Sequence, residues 1–146
     1  MKKLYNKAVW LCVIFVLCHC QRTPFQPEAI QQDYITFGKG GGMTNQVDTY
    51  YILADGHIYR HNNLTKEYQH LGRMKRAARY ACFERAQGLP ASLFGCEAPG
   101  NIYYFLSIHT QDTVKLCTWG SHDFTPPEAI TSFYQYTQQL ANDLSP

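Results

Sequence analysis

Two β-rich runs, Val47 to Ala54 and His57 to His61, meet at Asp55-Gly56. That dipeptide between such runs is among the strongest short hairpin signals, so antiparallel pairing organises the rest of the reading. Tyr34-Ile35-Thr36-Phe37 reads as a preceding strand that runs into Gly38-Lys39-Gly40-Gly41-Gly42, and Asn62-Asn63 ends the returning one. From about Arg73 to Gln87, Met74, Ala77, Ala78, Ala81, Cys82 and Arg85 recur at helical spacing, the arginine by its stem. Gly88 suits the left-handed position after that helix, and Pro90 prevents continuation. Ala91 to Gly100 is expected as a loop carrying Cys96. Asn101 to His109 then reads as a strand, apolar on both faces near its start, and Thr113 to Trp119 as its returning partner. Thr125-Pro126-Pro127-Glu128 has the form of a capping box, with Pro where a missing N–H costs nothing. Ile130, Phe133, Tyr134, Thr137, Leu140 and Ala141 follow as one apolar stripe. The order β-ββ-α-ββ-α predicts an α+β fold: an antiparallel sheet of four to five strands with two helices on one face.

A second feature decides which residues enter that domain. Lys2, Lys3 and Lys7 precede an apolar run from Ala8 to Leu17, the pattern of an export signal. The run is too short to span a bilayer, which takes roughly 20 apolar residues. Its end, Leu17-Cys18-His19-Cys20, resembles the lipobox of bacterial lipoproteins. The resemblance implies a leader over 1–19 and lipidation at Cys20. Gln21, where Asp would favour inner-membrane retention, implies an outer-membrane destination. An ordinary cleaved signal and an uncleaved anchor are the alternatives. Acyl chains at Cys20 would hold firmly, because each buried methylene contributes about 0.8 kcal/mol. Residues 20–33, with Pro24 and Pro27 and no period, read as a tether, and 34–146 as one domain.

Removing the leader also changes the charge. Lys+Arg falls from 13 to 10 against 11 Asp+Glu, so a formal net charge of +2 becomes −1. A domain of that charge offers no case for nucleic-acid binding. Three cysteines remain after Cys20, namely Cys82, Cys96 and Cys117. The compartment beyond the inner membrane permits one disulfide in any of three pairings, with one thiol left over. Closing the short Cys82–Cys96 loop would add roughly 3 kcal/mol in the chain-entropy account. No CxxC spacing supports a zinc knuckle or a redox motif.

Several residue groups invite chemistry and do not support it. Gly38 to Gly42 lacks the Gly-Lys-Ser/Thr ending of a phosphate loop and leads into a strand, not a helix N-terminus. It reads as a flexible loop, a bulged hairpin tip, or a projecting loop that inserts into a partner. His57 and His61 share a strand face, but four residues separate their backbones by about 13 Å, too far for one metal ion. No metal or cofactor is expected. Ser121-His122-Asp123 has the residue types of a hydrolase triad in consecutive positions, where side chains point apart. Arg73, Lys75, Arg76, Arg79 and Arg85 give the first helix a basic face, read as solvated. Neither Cys96 nor Cys117 has a positioned histidine in sequence to activate it.

Gly40-Gly41-Gly42-Met43-Thr44, Tyr50-Tyr51 with Gly56, Pro99-Gly100-Asn101 with Tyr103-Tyr104, Thr118-Trp119-Gly120 and Pro126-Pro127 together resemble a group of small bacterial lipoproteins with a glycine-rich opening. Gly41, Gly42 and Met43 also make the chain similar to the emfourin-like inhibitors of thermolysin-type metallopeptidases, in which this segment would sit on an inhibitory loop. The reading is a non-enzymatic domain, tethered to the bacterial cell envelope by lipid, that binds a protein partner. Gly40, Gly41, Gly42, Met43 and Thr44 form the candidate partner-binding loop. Inhibition of a peptidase through that loop is the alternative, and an enzyme using Cys117 or His122 ranks below both.

Overall fold

The computed structural model describes residues 25–145. The leader, Cys20 and the first part of the 20–33 segment lie outside the described residues. Within them, seven strands form one sheet: β1 (Tyr34–Gly41), β2 (Gln46–Leu53), β3 (His57–Asn62), β4 (Tyr68–Arg73), β5 (Glu97–Ala98), β6 (Ile102–His109) and β7 (Val114–Trp119). Their spatial order is β4-β3-β2-β1-β6-β7-β5, antiparallel except where β5 pairs parallel to β7. Two helices complete the α+β fold, α1 (Arg76–Gly88) after β4 and α2 (Glu128–Asn142) at the end.

Register assigns each side chain to a face. Ile35 and Phe37 of β1 pair with Ile52 and Tyr50 of β2 and with Ile108 and Leu106 of β6, and Leu106 in turn pairs with Cys117 of β7. These residues form the core with Ile58, Met74 and Trp119, and with Cys82 and Ala86 of α1 and Ile130, Phe133, Tyr134 and Ala141 of α2. Both helices therefore cover the same face. Phe37 lies between the rings of Tyr50 and Tyr134, with centroids 5.0 and 5.8 Å away. Burial pushes the Tyr134 phenol up to about 12, with Tyr104 and Tyr50 adding to the effect. It stays protonated and donates to the Gly38 carbonyl at 3.2 Å.

Several expectations need correction. The sheet has seven strands, not four to five. β4 was not foreseen because Tyr68-Gln-His-Leu-Gly-Arg73 lacks apolar alternation, and its pairing with β3 shifts register at a bulge between Ile58 and Tyr59. Arg73 closes that strand, so α1 begins three residues later than its pattern suggests. β5 is a two-residue pairing inside the expected Cys96 loop. At the end of α1, Gly88 is not among the glycines with positive φ; Leu89 is the extended C-cap, its N–H bonded to the Ala86 carbonyl. The capping box does not form either. Pro127, with ψ 137°, is the N-cap: its ring disfavours the helical region for Pro126, so Pro126 cannot open the helix behind Thr125. The helix starts only after the second proline, with Ile130 N–H donating to the Pro127 carbonyl at 3.0 Å.

The largest correction concerns Gly38 to Gly42. No loop begins at Gly38: β1 continues through Gly41 as the middle strand, hydrogen-bonded on both sides. The glycines serve the opposite face of the sheet. A Cβ on Gly38 would meet the Asp48 carbonyl and lie 2.5 Å from the Phe105 ring, and one on Gly40 would lie 2.5 Å from the Tyr103 ring. The rings of β6 lie across β1 in the space that absent side chains leave.

Candidate functional site

The β1–β2 turn is where the candidate loop survives, shortened to Gly42 through Asn45. Gly41, Gly42 and Asn45 have φ of 97°, 78° and 48°, a run of left-handed residues that reverses the chain between β1 and β2. Two external clamps hold it. On one side Gly42 N–H donates to the Asn101 carbonyl at 2.7 Å. On the other, the Asn63 side chain accepts from Val47 N–H at 2.7 Å and donates to the Asn45 carbonyl at 3.0 Å. Between the clamps Met43 stands fully exposed. Of the five candidate residues, Gly40 and Gly41 thus belong to the strand, and Gly42, Met43 and Thr44 form the tip.

The segments marked in the sequence converge here. A Cβ on Gly41 would meet the Asn101 carbonyl, one on Gly100 the Gly120 carbonyl, and one on Gly120 the Ile102 carbonyl. Pro99-Gly100-Asn101 is therefore the backbone neighbour of the tip and Gly120 the neighbour of that segment in turn, and these glycines allow the close approaches. Beside the tip, on the helix-bearing face but beyond the helices, lies a concavity of about 320 Å³. Lys39, Gly40, Gln46, Asp48 and Ile102 are among its lining residues. Ile102 is 45% exposed there. Asp48 accepts from Arg60 at 2.9 and 3.2 Å, Asn62 at 3.0 Å and Gln46 at 2.9 Å. Partial burial works against its charge, but these hydrogen bonds and the Arg60 guanidinium hold the carboxyl below its ordinary value. The result is a projecting apolar residue beside a fixed polar floor.

No family model matches the chain, and no curated protein matches it.

The remaining sequence candidates fall elsewhere. Cys96 and Cys117 form the disulfide, with Cα atoms 4.7 Å apart, tying the β5 segment to β7. Neither is a free thiol for nucleophilic attack. The remaining cysteine of the domain, Cys82 of α1, is buried in the core and its thiol is pushed up to about 12 by that burial. Ser121 through Asp123 form the loop before α2, with His122 and Asp123 exposed. The basic residues assigned to the first helix are not all solvated, and Arg73 belongs to β4. Arg73 and Arg79 donate to the Asp55 carbonyl at 3.1 and 3.4 Å, and Arg85 lies 4.3 Å over the Tyr136 ring.

Sequence reasoning missed the face opposite the helices. Phe25, assigned to the tether, stacks on Tyr59 at 4.0 Å and meets Tyr51 and Tyr68 edge-on at 5.5 and 5.3 Å. Burial pushes the Tyr51 phenol up to about 12, with Tyr68 adding to the effect. Tyr34 stacks on His109 at 4.1 Å, and His109 Nε2 lies 2.9 Å from the Ser107 hydroxyl. Ser107 is only 4% exposed, which leaves it a structural hydroxyl on the flat of the sheet. Period-2 recurrence of His57, Tyr59 and His61 along β3 was the available signal.

Proposed function

We propose that this protein is a lipid-anchored domain of the bacterial cell envelope, at the outer membrane, that binds a protein partner through the Gly42–Asn45 tip and the concavity beside it. The observation that carries the reading is the clamped, fully exposed Met43. A large apolar side chain on an ordered turn costs little conformational entropy to immobilise in a partner, and methionine adapts to irregular pockets. The fixed Asp48–Arg60 floor supplies polar contacts for register around that anchor.

A second reading shares the same geometry. A rigid turn presenting Gly41, Gly42 and Met43 is also the form a peptidase inhibitor would use, since pre-organisation is what lets an inserted loop bind tightly.

The tests separate anchor, partner and inhibitor. Cys20→Ala should release the chain from the membrane fraction while leaving the fold intact; continued membrane retention would reject lipidation. Met43→Asp should abolish partner capture by the tethered form, whereas Leu64→Asp, at another exposed apolar site, should not. Slowing of a thermolysin-type peptidase that disappears in Met43→Asp would establish inhibition, and no slowing by the unaltered chain would end that reading.

A further inference from the structure

The sequence pairs His57 with His61 and dismisses them as a metal pair; the fold gives His57 a different neighbour. The bulge in β4 moves His70 beside His57 on the open face, with His57 Nδ1 and His70 Nε2 2.9 Å apart. We propose that these two imidazoles form a surface site for a first-row divalent transition ion of tetragonal preference, Ni²⁺ or Cu²⁺, which replaces the proton they otherwise share.

Geometry selects the ion. With metal–nitrogen bonds of about 2.05 Å, nitrogens 2.9 Å apart subtend close to about 90° at the metal. That is the cis angle of square-planar and octahedral complexes, the geometries Cu²⁺ and Ni²⁺ favour with nitrogen and oxygen ligands. The order of intrinsic affinities runs the same way for Cu²⁺.

The surroundings hold the pair in place. Tyr59 lies 4.9 Å from the His70 ring and 6.4 Å from the His57 ring, and Phe25 is stacked on Tyr59. The Asp55 carboxylate accepts the His57 backbone N–H at 3.0 Å, fixing the start of β3. Arg73, paired opposite His57, turns its Nε to the Asp55 carbonyl at 3.1 Å. His70 is exposed, so an ion reaches the pair from solvent. Among the described residues no group of three or more His, Cys, Asp or Glu converges on one point. Water therefore completes the coordination, which leaves cis positions open to an exogenous ligand.

The test is calorimetric titration of the full chain in detergent with Ni²⁺, comparing H57N, H70N, H61N and H122N. His109 and the cysteines are common to all four, so any binding they contribute cancels. One Ni²⁺ site should weaken by about tenfold or more in H57N and in H70N, the loss expected when a ligand is removed. It should persist in H61N and H122N. Carbethoxylation of the unaltered chain, read by mass spectrometry, gives a measurement that needs no variant: Ni²⁺ should protect His57 and His70 but not His122. Unchanged isotherms in H57N and H70N, or equal modification with and without Ni²⁺, would overturn the site.

Discussion

The two faces of the sheet are built from the same strands by different rules. Beneath the helices the residues are Ile35, Phe37, Ile52, Ile58, Leu106 and Ile108, each almost wholly buried. On the other side the partners of the same strands are Tyr51, Tyr59, Tyr68, Tyr103, Phe105, His57 and His70, mostly half-buried. The first face gains stability by excluding water under a second layer. Among the described residues no α-helix covers the second, and large flat rings cover the backbone themselves. Gly38 and Gly40 belong to this arrangement, since rings from β6 occupy the volume a side chain would take. The difference separates tasks: the closed face holds the fold, while the open face and the β1–β2 tip are free to carry binding groups.

The sharpest way to break this contrast is to remove one ring from each face. Phe37→Ala should lose about 3–5 kcal/mol of unfolding free energy, whereas Phe25→Ala should lose about 1–2 kcal/mol, both read from denaturant unfolding. Equal losses would mean that the open face carries as much of the fold as the closed one. Next in size is the disulfide, which secures the β5–β7 edge across a sequence separation of 21. Replacing both Cys96 and Cys117 by Ala should cost roughly 3 kcal/mol at equilibrium relative to the disulfide-bonded chain.

The glycines give a finer test. Gly38→Ala places a methyl against backbone as well as the Phe105 ring, and should cost about 1–3 kcal/mol. Gly40→Ala meets only the far end of Tyr103, which can rotate away, and should cost less. Reversal of that order would show that the rings are not what the glycines accommodate. The smallest effect is from pH. Burial holds the His109 imidazole below its ordinary value. As pH falls below about 6.5, the unfolded chain takes up that proton before the folded one does. Stability should therefore decline from about pH 6.5 downward to the folded value, and the decline should be reduced in His109→Asn.

How much of this was legible depended on how local each signal is. The apolar stripe of α2 needs only its own spacing, and Ile130, Phe133, Tyr134, Thr137 and Ala141 are indeed its buried residues. The Asp55-Gly56 turn is equally local: Gly56 has φ of 95° and His57 N–H returns to the Asp55 side chain. The strand identity of Gly38 and Gly40 is not local, because it rests on rings more than sixty residues away. β4 fails for a related reason: its bulge breaks the alternation that would reveal it. At the candidate site, Met43 and the converging glycines could be read, but the clamp by Asn63 and the placing of His70 beside His57 required the register.

The central claim is that the tip, not the rest of the surface, meets a protein partner. A photo-crosslinking amino acid placed at position 43 in living cells tests it most directly, with position 80 on exposed α1 as the comparison. The account predicts a discrete adduct with another protein from position 43 and none from position 80. The absence of any adduct at 43, or the same adduct from both positions, would contradict it.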